Sequence, residues 1–93
     1  MSPALVTPGA PWEPDWVQAH TPSEAARLSA EGRTALVRLP GQLDAALAAA
    51  SVFRWHGATI FVTEHTDQVG LAVEMTDCLA GRRPPALTRR GLA

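Results

Sequence analysis

The stretch TALVRLPGQLDAALAAASVFRWHGATIFVT, residues 34–63, decides the fold class. It opens with Thr34-Ala35-Leu36-Val37-Arg38-Leu39, an apolar run ended by Pro40-Gly41, which predicts a strand over 34–39. It closes with Ala58-Thr59-Ile60-Phe61-Val62-Thr63, rich in β-branched and aromatic residues and therefore a second strand. Between them Leu43, Ala46, Leu47, Ala50 and Phe53 recur at spacings of three and four, which places them on one face of a helix over 42–56. Asp44 near its start and Arg54 near its end suit the helix dipole, and Gly57 supplies the stop. Strands joined through a helix run parallel with a right-handed crossover. Two strands alone make a poor sheet, and parallel sheets ordinarily have both faces covered, so something must complete this one. Segment 4–7, a second copy of the chain and another protein are the candidates.

Helical punctuation flanks this unit on both sides. Upstream, Thr21 suits an N-cap, Pro22 the first helical turn, and Glu24 the third position of a capping box, with Gly32 as the stop. A short helix over 22–31 with Ala25, Ala26 and Leu28 inward follows. Downstream, Thr66 or Asp67 can cap a third helix that carries Val69, Ala72, Val73, Thr76 and Leu79 along one face and ends at Gly81. Leu71, Met75 and Cys78 form a second apolar stripe on that helix. The predicted fold is thus α/β, a small helix-strand-helix-strand-helix domain over 22–81 with a parallel strand pair.

The ends differ in kind from the middle. Residues 1–22 hold five of the eight prolines and two of the three tryptophans, Trp12 and Trp16, so 1–21 is expected to be an extended arm whose tryptophans cap the core. Ala4-Leu5-Val6-Thr7 can add a short edge strand. Residues 82–93 carry Arg82, Arg83, Arg89 and Arg90 without an acid, a local balance of +4 against −5 for residues 1–81. That Arg-rich tail is expected to be solvated or to fold back on the acidic body. It lacks aromatics for base stacking, so nucleic acid is not the expected partner.

Composition excludes several classes. The 93 residues bound the chain to one small domain with a marginal core. At 46% apolar and 18% charged it is globular, and a net charge of −1 argues against a whole-molecule polyanion binder. One cysteine excludes an internal disulfide and a paired-cysteine zinc site, and the absence of lysine excludes the Gly-x-x-x-x-Gly-Lys phosphate loop. No apolar run reaches a membrane span and the N-terminus lacks a secretory pattern, so no membrane partner and a cytoplasmic location are expected. No cofactor or metal is expected.

Ligands of parallel α/β units gather beyond the carboxyl ends of the strands. Here those ends are Leu39-Pro40-Gly41-Gln42 and Thr63-Glu64-His65-Thr66-Asp67-Gln68, the densest polar cluster in the chain. His65 with Glu64 or Asp67 suits acid–base chemistry, or a metal given a third ligand, while Thr63, His65 and Thr66 suit a small anionic ligand beside a helix N-terminus. The plainer alternative makes Thr66 and Asp67 helix caps and His65 a solvent-facing residue. Cys78 on an apolar stripe suits a small buried hydrophobe, and His20 and His56 suit surface positions near segment ends.

One stretch resembles a known family. Leu47-Ala48-Ala49-Ala50 through Trp55-His56-Gly57-Ala58, then Ile60 to Thr66 and Val69 to Met75, resembles the end of dihydropteroate synthase. That family closes a (β/α)8 barrel with an apolar helix, a Gly-Ala turn, a last strand bearing Arg-x-His, and a final helix. The resemblance covers about 35 residues and implies the last βα units of such a barrel. The family's His falls on His65, but its substrate-binding Arg falls on Thr63, and its lysine has no counterpart. The resemblance therefore implies a barrel-derived relative rather than a working synthase. The expected function leans away from catalysis toward an interaction or assembly module, as a homo-oligomer or with a protein partner completing the sheet. The alternative is a binder of a pterin- or phosphate-like ligand, or an enzyme, using the His65 loop.

Overall fold

The computed structural model describes residues 3–82. Seven elements follow in order: β1 (Ala4–Val6), β2 (Trp16–Gln18), α1 (Pro22–Ala30), β3 (Thr34–Arg38), α2 (Leu43–Trp55), β4 (Ile60–Val62) and α3 (Thr66–Leu79). The strands form one parallel sheet in the order β1-β4-β3-β2. The expected α/β class with a parallel pair joined through a helix is therefore observed, as β3-α2-β4. The Arg-rich tail beyond Arg82 lies outside the described residues.

The pair is flanked on both sides by strands from residues 1–21. Ala4, Leu5 and Val6 pair with Ile60, Phe61 and Val62, as the edge-strand expectation for segment 4–7 had it. Trp16, Val17 and Gln18 pair with Thr34, Ala35 and Leu36, where only an extended arm was expected. A three-residue strand among prolines has no period of its own to read. Its pairing with β3 decides it.

Handedness explains the layers. The connections β2-α1-β3 and β3-α2-β4 each step one position in the same direction, so right-handed crossovers put α1 and α2 on one face. α3 joins them there, packed on α2 and β1. Contact with β1 is close: a Cβ on Gly70 would lie 3.1 Å from Leu5 Cδ1. Leu5, Val17, Ala35, Val37 and Phe61 point into this layer and meet Ala25, Leu28, Ala46, Ala50, Val69 and Val73. The alanines of α1 and α2 let these helices sit close to the sheet.

The connection from β1 to β2, residues 7–15, steps the opposite way across the sheet. The same rule places it on the other face. There Leu36, Ile60 and Val62 are buried, with Ala4, Val6 and Trp16 packed against them, although no described helix lies on that side. Pro8 of this connection lines a small cleft with Arg38 and Val62, both residues of that face. Trp16 thus caps the core as expected, whereas Trp12 is 39% exposed.

Two local expectations meet different outcomes. Phe53 packs against the core with Ala46 and Ala50, as its place on the inward face of the helix predicts, although it is only partly buried and the largest fully buried side chain is Phe61. Neither Thr66 nor Asp67 caps α3, because His65 occupies the cap position and offers no side-chain bond to the helix. At α1 the cap forms: Thr21 Oγ1 accepts from the Glu24 N–H at 3.1 Å, while the Glu24 carboxylate accepts from the His20 N–H, one residue earlier than in a capping box.

Candidate functional site

The carboxyl ends of β3 and β4 bring Gly41, Thr63 and His65 together. His65 Nε2 donates to the Gly41 carbonyl at 2.7 Å, and the His65 N–H donates to Thr63 Oγ1 at 3.0 Å. Thr63 is buried, His65 and Thr66 are half-buried, and Glu64 and Asp67 are exposed. The imidazole therefore ties the loop after β4 to the loop after β3. Among the described residues no hydrogen bond or ion pair joins His65 to Glu64 or Asp67, and the ring is oriented by the Gly41 carbonyl instead. No group of three or more His, Cys, Asp and Glu residues capable of holding a metal occurs among the described residues. A cleft of about 230 Å³ opens beside this loop, lined by Pro8, Arg38, Gly41, Thr63 and Glu64 among others. α2 and α3 both start at this end, and neither N-cap makes a side-chain hydrogen bond.

The opposite end of the sheet holds a buried ionic cluster. Arg54, at the last turn of α2, donates from Nε to Asp77 Oδ1 at 2.6 Å and from Nη2 to Oδ2 at 3.2 Å, with both side chains only 8% exposed. Its Nη1 donates to the Ala58 carbonyl at 2.9 Å. Arg82 donates to the carbonyls of Arg54 and Trp55 at 2.9 and 2.7 Å. These carbonyls belong to the negative end of α2, where cations are favoured. The first residue of the Arg-rich tail thus clamps the end of α2, and the cluster locks α2 to α3. A cleft of about 810 Å³ lies here, but the Arg54 and Arg82 guanidinium groups that line it are already engaged in these bonds. Sequence reading gave Arg54 a dipole role and could not join it to Asp77, 23 residues away.

A third feature lies on the outer surface of the helix layer. Val52 and Trp55 of α2 and Leu71, Met75 and Leu79 of α3 are 47–75% exposed. Between the two helices runs an apolar groove of about 400 Å³, with Val52, Trp55, Met75 and Leu79 along its sides and Ala72 and Thr76 between them. The stripe Leu71-Met75 was legible in the sequence as apolar, and its exposure was not. Leu79, placed on the inward face by its spacing, is instead 75% exposed. Cys78 is partly buried, and His20 and His56 are exposed at segment ends as expected.

No family model, no curated protein and no solved structure matches this chain. Among the described residues no helix is long and apolar enough to cross a membrane.

Proposed function

We propose that this protein is a non-catalytic interaction module whose working surface is the outer face of α2 and α3. The observation that carries this reading is the exposure of Val52, Trp55, Met75 and Leu79 around one apolar groove, with Leu71 exposed one turn before Met75 on α3. Isolated exposed apolar residues are ordinary, but a contiguous patch of this kind on a small domain marks a contact site. The strands no longer supply the argument for a partner, because β1 and β2 from the same chain flank the pair. The need for a contact shifts from the sheet to the helices.

Oxidative footprinting tests the reading, since Met75 and Trp55 are reactive and Trp12 is an exposed control away from the groove. Met75 and Trp55 are expected to oxidise readily in the dilute pure protein and to be protected in the cells that make it, with Trp12 unchanged. Equal oxidation of Met75 in both settings would remove the proposal.

A second reading draws on the other end. The uncapped starts of α2 and α3 open beside Arg38, and the resemblance to dihydropteroate synthase puts a ligand loop at His65. On this reading a small phosphate- or pterin-like anion sits there. Calorimetry with inorganic phosphate and with a pterin, against His65→Ala, decides it: identical traces for the two proteins end the idea.

A further inference from the structure

Resting on the interaction-module reading, we infer that the partner of the α2–α3 face is a second copy of this chain, docked about a twofold axis. The face carries both halves of a helix-packing contact. Leu71, Met75 and Leu79 stand four residues apart, which makes a continuous ridge along α3. The groove between α3 and α2 runs directly beside it, with Ala72 and Thr76 low enough to admit the apolar side chains of a partner ridge. A surface holding a ridge next to a matching groove is complementary to itself, and a twofold lets each copy insert its ridge into the other's groove.

Charge and area support the same occupant. None of the residues lining the groove is Asp, Glu, Lys or Arg, and neither is Leu71, so the centre of the contact brings no carboxylate or guanidinium of one copy against that of the other, with His56 the titratable residue in the lining. A charged partner would find nothing there to select it. The five exposed side chains offer apolar surface on the order of 500 Å², near the largest patch that monomers carry. Two such faces with their rims cover on the order of 1,000–1,200 Å², enough for a specific though modest interface.

The test is light scattering on the full-length protein over a wide range of concentration, with Met75→Glu and Met75→Lys alongside. Met75 is 65% exposed, so both variants are expected to keep the parent's circular dichroism and the melting behaviour of its dilute form. Wild type is expected to move from monomer to dimer as concentration rises, and each variant to stay monomeric. A wild-type protein monomeric at every concentration overturns the second copy as partner while leaving the footprinting test of the module reading open. A dimer that persists undiminished in both variants overturns the inference and removes this face as the contact. A monomer that dimerises only once residues 83–93 are deleted overturns it too, by making that segment the occupant.

Discussion

Replacing Asp77 by alanine strips the Arg54 guanidinium of its counter-charge in a place water barely reaches. Arg54 and Asp77 side chains are each 8% exposed, and the carboxylate takes two of the three Arg54 contacts, leaving only the Ala58 carbonyl. Breaking one side of a buried, hydrogen-bonded ion pair costs about 3–5 kcal/mol, mostly as the penalty of the charge left behind. A chain of this length holds roughly 5–14 kcal/mol in all, so Asp77→Ala removes a large fraction of it. The matching fall in Tm is roughly 12–40 °C. Removing both charges, as Arg54→Met with Asp77→Leu, strands no buried charge, the Arg82 side chain that also meets Asp77 being 36% exposed, and is expected to cost less than half as much, the lost bond to Ala58 accounting for about 1 kcal/mol. Both variants also remove the longer 3.4 Å contact of Arg82 Nη1 with Asp77 Oδ1 while keeping the Arg82 bonds to the Arg54 and Trp55 main-chain carbonyls, so the difference between them still reports the stranded Arg54 charge. Urea unfolding at low protein concentration, followed by tryptophan fluorescence, measures both. If Asp77→Ala costs under about 1 kcal/mol, or the double variant is as unstable as the single, the ion pair does not hold α2 to α3 as argued.

Other expectations can be checked with the same assay or by titration. Phe61→Ala is expected to cost about 3–5 kcal/mol because Phe61 is wholly buried, and Phe53→Ala less than half that; equal costs would contradict the placement of the core. Gly57→Ala is expected to cost about 1–3 kcal/mol, since φ is +109° and the new Cβ would sit 2.6 Å from Ser29 Oγ and 2.7 Å from Ser29 Cβ. Adding Ser29→Gly should recover the steric part alone, and a neutral Gly57→Ala would refute the strain. The Glu24 carboxyl is held below its ordinary value of 4.5, chiefly by the His20 N–H that it accepts from. Its contribution to stability is therefore present above the unfolded pKa and lost as pH falls through the folded one. An NMR titration should find the Glu24 midpoint below that of an unfolded control, and a midpoint at or above it would deny the bond.

The sequence by itself determined the elements between residues 22 and 79 and the sense of the central strand pair. Proline, glycine and the three-and-four spacing of Leu43, Ala46, Leu47, Ala50 and Phe53 act within a few residues, so the chain announces them locally. Linking two strands through a helix then leaves a parallel, right-handed unit as the natural outcome. The His65 loop was legible too, because a polar cluster after an apolar strand falls at the carboxyl end of the sheet, but its bond to Gly41 spans 24 residues and was not. Tertiary structure alone decided that Trp16–Gln18 is a strand, since three residues gain strand character only from β3 beside them. It alone joined Arg54 to Asp77, and it alone decided which apolar stripe is core. Val69 and Leu71 stand two residues apart on α3, yet Val69 is buried and Leu71 is 68% exposed. Hydrophobicity tells a side chain to leave water; only the packing of the whole chain decides which apolar faces it can cover itself and which it leaves open to a partner.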